Sequence, residues 1–348
     1  MSAVAELIIA GHEVRLWNRS ADALAPLQAA GRFFYAGVLG DGHVTPALMT
    51  SDIKAAIATC DAAVVTLPTF AHASLASLLA DSGWPVDRPI VLNPGHTGGA
   101  LEFVQAFGTD RTPPIAELST LTYVARKHRP DCVTTTGRAG AVRAAALPGG
   151  EAALAVAESL FPGVARQADV IATSLANVNM ILHPPGAILG AAWIEARQGD
   201  FTFYVDAMTS GVGRVMQALD DERRAVARAF GHDLPGLLGE MRLIGTVEAD
   251  TDAGADFATA IAGGKANSKI KAPSSLAHRY YREDFGHGLL PFIEIADIAG
   301  VKTPTATSLL ALAQTLGGID YRATGRTAVA MGIAGMTRDE LIQHVRLK

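Results

Sequence analysis

His183 closes an apolar run, Met180-Ile181-Leu182, and stands directly before Pro184 and Pro185. An imidazole changes charge near neutral pH, so it can both give and take a proton in a reaction. The prolines fix φ and favour extended backbone before them, which predicts His183 at the boundary of an element. Just upstream, Asn177 and Asn179 carry amides that either bond within this turn or reach a ligand. Well downstream, His278-Arg279-Tyr280-Tyr281-Arg282-Glu283-Asp284 forms a charged cluster between largely apolar flanks. Arg279 has the planar fork that suits a carboxylate, and Asp284 could orient an imidazole and favour its protonated form. Taken singly, such a histidine reads as structural and such a charge run as a solvated loop. Taken together, they read as a proton-transfer pair beside a carboxylate clamp.

Positioning them requires a scaffold, and the first half of the chain alternates strand and helix signals. Residues 62–68 are a near-continuous apolar run closed by Pro68, as expected of a parallel strand buried on both faces. Residues 89–95 repeat the pattern, with a helix signal over 71–79 between the two. Ligands of open α/β sheets gather at the carboxyl ends of strands, so Thr66, Pro68, Asn93 and Gly95 are expected to face a dinucleotide. The glycines of the 93–99 turn are equally those of an ordinary tight turn, and His96 within it reads as an exposed side chain. β-like runs over 131–147 and a helix over 151–161 complete this half.

The start of the chain departs from that plan. Residues 2–10 are rich in helix formers and Gly11 suits a C-terminal cap, after which residues 12–17 read as a short strand. The expectation is a dinucleotide domain that begins in its first helix, without strand one or the Gly-x-Gly-x-x-Gly turn that cradles pyrophosphate. A signal peptide is rejected, since a basic leading region and a cleavage site are both lacking. Asn18 and Arg19 follow the strand, with no acid for a ribose 2′-hydroxyl and a guanidinium ready for a 2′-phosphate. This favours NADP over NAD, although Ser20 also reads as a helix N-cap.

Past residue 168 helices dominate. Val212, Val215, Met216, Leu219, Val226 and Phe230 share one helical stripe, read as core. Thr303-Pro304 starts another helix, and Thr337 to Glu340 is a capping box. The predicted architecture is an α/β Rossmann-like dinucleotide-binding domain over 1–168, incomplete at its N-terminus, followed by an all-α catalytic and substrate domain over 169–348. The active site is expected in the cleft between them, with His183 and Asp284 meeting across it.

Composition narrows the function classes. The chain has 348 residues, 49% of them hydrophobic, enough for roughly two cores. A formal charge of −5 offers no broad basic surface for nucleic acid. Two cysteines make neither a disulfide framework nor a metal site, which suits a reducing cytoplasm. No apolar run reaches the ~18 residues of a membrane span. A monomer or homodimer acting on small molecules is expected.

With these motifs in order along the chain, the sequence resembles the opine dehydrogenase family, the octopine/nopaline dehydrogenases. Asn177, Asn179, His183 and Pro184 match the family's Asn-x-Asn-Pro-x-x-His-Pro segment, with Met180 where the family has proline. Arg279, Tyr280, Glu283 and Asp284 match Arg-Tyr-x-x-Glu-Asp. Asn93-Pro94-Gly95-His96-Thr97-Gly98-Gly99 is similar to Asn-Pro-Gly-x-Thr-Gly-Gly, and Glu117 to Tyr123 to Glu-x-x-Thr-Leu-Pro-Tyr, with Thr122 replacing proline. Gly199-Asp200-Phe201, Tyr204 and Asp221-Glu222-Arg223 also fit. The likeness runs from about Gly11 to the C-terminus.

The resemblance implies reductive condensation of an α-keto acid with the amine of an amino acid, driven by NADH or NADPH. It implies His183 as general acid/base, Asp284 as its orienting partner, and Arg279 holding a carboxylate or joining the relay. Glu117 then belongs with the cofactor groups, and Thr120, Tyr123, Asn177 and Asn179 with the substrate. Trp193 reads as core packing; Asp200, Tyr204, Asp221, Glu222 and Arg223 as helix ends and surface pairs; His278 and His287 have no assignable role. Two other readings stay open: a ketopantoate reductase-like or hydroxyacid dehydrogenase-like enzyme, whose catalytic lysine finds no matching context here, and a non-catalytic binding protein without a phosphate loop.

Overall fold

The computed structural model describes residues 1–108, 112–252, 254–265 and 267–347. Its central sheet is built from β5 (Ala63–Val65), β6 (Ile90–Leu92), β7 (Ile115–Leu118), β10 (Val142–Ala146) and β11 (Val164–Arg166), in the order β11-β10-β7-β6-β5. The first three run parallel, and β10 turns back antiparallel to β7. Alternation along β6 explains why it is apolar throughout. Ile90 and Leu92 enter one core with Leu75, Leu79 and Phe103, while Val91 enters another with Leu118 and Leu154. The helices His72–Asp81 and Gly99–Phe107 contribute to the first of these cores, and Glu151–Leu160 to the second.

The first element is a helix, Ser2–Ile9, as the opening residues predict. It is followed by β1 (Arg15–Trp17), which pairs in parallel with β4 (Leu48–Thr50). Among the described residues this pair forms a sheet of its own, not hydrogen-bonded to β5. A further sheet goes beyond the sequence expectation: β3 (Gly42–Val44), β2 (Phe33–Gly37), β9 (Cys132–Arg138) and β8 (Tyr123–Arg129), in that order. The run over 131–147 thus serves two sheets, with β9 in one and β10 in the other. Helix Ser2–Ile9 lies on the four-stranded sheet, where Ser2 Oγ and Thr135 Oγ1 hydrogen-bond at 2.8 Å.

The strands end at Arg166, and helices follow from Val170. The expected stripe lies on the long helix Ser210–Ala229, and Pro304–Gly317 and Arg338–Val345 start at the predicted caps, the latter with both capping-box bonds. One expectation fails. His183 is not at a boundary but in the middle of the helix Asn179–Leu189, which contains both prolines. Prolines there remove two backbone donors and cost roughly 3 kcal/mol each. Burial offsets that cost: every residue from Met180 to Ile188 is buried, and tertiary packing overrides local preference.

Candidate active site

His183 meets Asp284. Its Nδ1 lies 2.8 Å from Asp284 Oδ2, and its Nε2 lies 2.7 Å from the hydroxyl of Tyr204. An ionised carboxylate only accepts, so Nδ1 carries the proton and Nε2 accepts from Tyr204. Tyr280 stacks on the imidazole, with centroids 4.0 Å apart and an interplanar angle of 16°, and Phe203 meets its edge. Both partners are buried, at 5% exposure for His183 and 3% for Asp284. Burial and the neighbouring Tyr280 hold the Tyr204 phenol well above its ordinary pKa, so it stays a neutral donor.

The elements explain the meeting. Asp284 ends the helix Arg279–Asp284, which continues through a wide π-turn, Phe285–Leu289, into Leu290–Ala299. Such turns are single-turn departures often found at functional sites. Gly288 in this turn faces Met180, and a Cβ there would sit 3.2 Å from Met180 Cβ. Its bare α-carbon lets the two helices approach until the carboxylate reaches the ring. Both helices belong to the helical half of the chain, so the pair does not span the cleft as expected. It forms inside one domain, where helix packing alone fixes it.

Glu283 points the other way. Its Oε1 accepts from the backbone N–H of Thr69 at 3.1 Å, just beyond β5, and its Oε2 lies 3.6 Å from Arg279. Burial pushes its pKa up, but His96, Arg279 and Thr69 outweigh this and hold the carboxylate low. Arg279 itself stays open, its side chain 61% exposed and touching neither His183 nor Asp284.

The 93–99 turn is a buried hub. Glu117, fully buried at the end of β7, accepts from Ala100 N–H at 2.8 Å and from the hydroxyls of Thr173 and Ser174. Loss of hydration raises its pKa to about 7, against the pull of those donors. Gly95 lies so close that a Cβ would collide with the Glu117 side chain. Asn93 bonds Thr122 through both ends of its amide, Asn177 donates to Thr97 Oγ1 at 3.1 Å, and Gly98 N–H donates to Ser174 Oγ at 2.9 Å. Arg326, wholly buried, donates to Thr97 O at 2.6 Å and to Glu102 Oε2 at 2.7 Å.

Several sequence assignments change accordingly. Asn93, Gly95, Glu117 and Asn177 knit the turn together, their polar groups engaged by protein rather than open to a ligand. His96 is buried, not exposed; burial lowers its pKa and keeps the ring neutral, against the upward pull of Glu283 and Asp284. Tyr123 donates to Glu6, which also pairs with Arg138, so it anchors the first helix away from His183. Thr120 is buried between β7 and β8, and Asn179 is the first residue of the His183 helix, its N–H bonded to Asn177 Oδ1. Tyr204 is buried at the His183 ring, not on the surface, and Arg223 is buried against Asp220. Trp193 is 41% exposed but stacks on Phe201. Asn18, Arg19 and Thr66 do stand at the carboxyl ends of β1 and β5, Arg19 and Thr66 exposed. Ser20 also caps the next helix.

Sequence reasoning missed Tyr204 as a site group, and Arg326 altogether. Tyr204 lies in an irregular segment whose spacing carries no period, although the family match did include it. Among the described residues, no group of three His, Cys, Asp or Glu converges as metal ligands, and no helix is long and apolar enough to cross a membrane.

A mixed-sheet α/β domain is thus joined to a helical domain that carries the buried His183–Asp284 pair. The family described as NAD/NADP octopine/nopaline dehydrogenase, alpha-helical domain, matches residues 166–316. An opine dehydrogenase of Arthrobacter sp. (strain 1C) is 33% identical over 337 residues, covering 96% of this chain and 92% of that one. A vitopine synthase of Allorhizobium ampelinum is 27% identical over 51% of this chain and 48% of its own. Octopine dehydrogenase solved with NADH and L-arginine superposes with a TM-score of 0.75 at 21% identity, covering 95% of this chain and 92% of that one. Yersinopine dehydrogenase with NADP+ bound gives 0.71 at 16%, over 98% and 94%. The chain belongs to the opine dehydrogenase family, and its fold is the Rossmann-like and helical pair of domains seen in octopine dehydrogenase.

Proposed function

We propose that this oxidoreductase is a nicotinamide-dependent opine dehydrogenase that condenses an α-keto acid with the amine of an amino acid and reduces the product. The observation that carries the reading is the buried His183–Asp284 pair, with the open Arg279 guanidinium five residues before Asp284 on the same helix. Relatives support it: octopine dehydrogenase has been solved with NADH and L-arginine and with pyruvate. We take residues 1–168 and 169–348 as its domains and a reducing cytoplasm as its setting.

The dinucleotide fits in part. Asn18 and Arg19 after β1, and Thr66 and Pro68 after β5, stand at the carboxyl ends of parallel strands, where open α/β sheets bind such ligands. They would hold the adenosine ribose and the nicotinamide side respectively; the described residues include no glycine-rich turn for the pyrophosphate. When bound, the cofactor supplies the hydride. The chain's own part is proton management and orientation. Arg279 offers a bidentate site for a substrate carboxylate. Asp284 fixes the His183 tautomer and stabilises its imidazolium when the ring takes a proton. The aromatic box of Tyr280, Phe203 and Tyr204 excludes water from the ring.

Nucleotide oxidation followed by absorbance, with pyruvate and a panel of amino acids, tests the reading. Turnover should require both substrates. Turnover with the keto acid alone would replace it with a simple keto-acid reductase, and failure to bind either nucleotide would leave a non-catalytic binding protein. NADPH should outperform NADH, and Arg19→Ala should weaken NADPH binding while sparing NADH; equal use of both by the unaltered protein would end that preference.

A further inference from the structure

His183 has both ring nitrogens taken and one face covered. Asp284 takes Nδ1, Tyr280 covers one face, Phe203 closes an edge, and Nε2 is taken by the Tyr204 hydroxyl at 2.7 Å. A substrate oxygen therefore has no open ring nitrogen to reach. What stands at the catalytic end of the pair is a phenol, on the irregular segment between the helices Ala191–Arg197 and Ser210–Ala229. That segment is tied down: Thr202 N–H and Oγ1 each donate to Asp206 Oδ2 at 2.7 Å, and Phe203 N–H donates to Ile270 O at 2.8 Å. Phe203 and Tyr204 pack edge to face, which holds the phenol where it is. Tyr204 is thus pre-positioned by its own loop and not merely resting on the histidine.

We propose that Tyr204 is a catalytic residue, the group that passes the proton between His183 and the substrate oxygen. The inference rests on the proposed condensation and adds a third member to its proton path. In the dehydration step, Tyr204 O–H gives its proton to the carbinolamine hydroxyl and takes one from Nε2–H of the His183 imidazolium. The C–O bond breaks, its electron pair leaves with water, and the nitrogen lone pair closes the C=N bond. Charge is conserved: the imidazolium becomes neutral as the substrate becomes an iminium. The phenol ends as it began, so it need never exist as a phenolate, in keeping with a neutral buried hydroxyl. Asp284 stabilises the imidazolium before the step.

The test compares the full protein with Tyr204→Phe, which keeps the ring and removes only the hydroxyl. Nucleotide affinity should be unchanged, turnover should fall by about 10²-fold or more, and the His183→Ala, Tyr204→Phe double variant should be no slower than His183→Ala. Turnover of Tyr204→Phe within a few-fold of normal would overturn the relay. So would a lower KM for the keto acid at normal turnover, which would make the phenol a placeholder that substrate displaces. A second measurement needs no variant: rates of the unaltered protein in mixtures of light and heavy water should curve, as two protons in flight require. A straight dependence would also overturn the relay. Absence of any turnover in the unaltered protein would instead count against the proposed function itself.

Discussion

The proposed proton chemistry reduces to one imidazole with both nitrogens committed. Asp284 on Nδ1 sets the tautomer and supplies the negative charge that an imidazolium needs. Removing the ring should therefore cut turnover by about 10²–10⁴-fold, the usual worth of a placed acid/base. Steady-state kinetics of His183→Ala should show this loss in kcat with nucleotide affinity nearly intact, since among the described residues its hydrogen bonds and ring contacts are with Asp284, Tyr204, Phe203 and Tyr280. Asp284→Ala should be slow for the same reason, through a misoriented ring. Because the two act as a unit, the double variant should be little worse than His183→Ala alone. Multiplying losses would show that they work separately, and normal turnover in His183→Ala would remove the ring from the mechanism.

Elements show what the sequence could and could not reveal. Helix caps at Thr337 and Thr303-Pro304, and the apolar strands β5 and β6, are legible because local chemistry and burial point the same way. The His183–Asp284 pairing is legible through motif context, since both residues sit in recognisable segments. The helical state of Pro184 and Pro185 is not, because burial across the whole segment defeats a local rule. Nor is the four-stranded sheet, whose β2 and β9 pair in parallel across nearly a hundred intervening residues. Glu117 reads as a cofactor contact because the family-like segment that it opens is expected to line the cleft; only its full burial reveals a clamp. That clamp has a pH signature. Glu117 ionises near 4.5 when unfolded but near 7 in the folded protein. Its contribution to stability is therefore full below pH 4.5, declines as pH rises toward 7, and is lost above. The decline amounts to about 3 kcal/mol, since a tenfold change in proton affinity between the two states corresponds to about 1.36 kcal/mol. Urea unfolding across pH 4.5–7 should show this slope in the unaltered protein and a shallower one in Glu117→Gln. Parallel slopes would mean that Glu117 ionises freely in place.

At the scale of the whole molecule, function depends on how the strand-end loops are held against the helical half. Two of the buried ties that make this connection are Thr69 on Glu283, and Arg326 on Glu102 and the carbonyls of Gly95 and Thr97. The second is the stronger constraint. Arg326 is 0% exposed and donates to all three of those residues, so it locks the Tyr321–Thr324 region onto the Gly99–Phe107 helix and the turn before it. A buried pair adds modest net stability, because desolvation offsets its attraction, but breaking it strands a charge at a cost of about 3–5 kcal/mol. Arg326→Met should accordingly lower the melting temperature sharply and loosen the turn. Adding Glu102→Gln should recover part of the loss, since no unpaired carboxylate then remains buried. The diagnostic is the sign of that second step. Recovery in the double variant identifies the stranded charge as the cause, whereas a further fall would mean that Glu102 stabilises the helix by contacts independent of Arg326. Hydrogen exchange at Gly98 and Ala100 should quicken in Arg326→Met and slow again in the double variant, because the turn's own bonds to Ser174 and Glu117 remain in both.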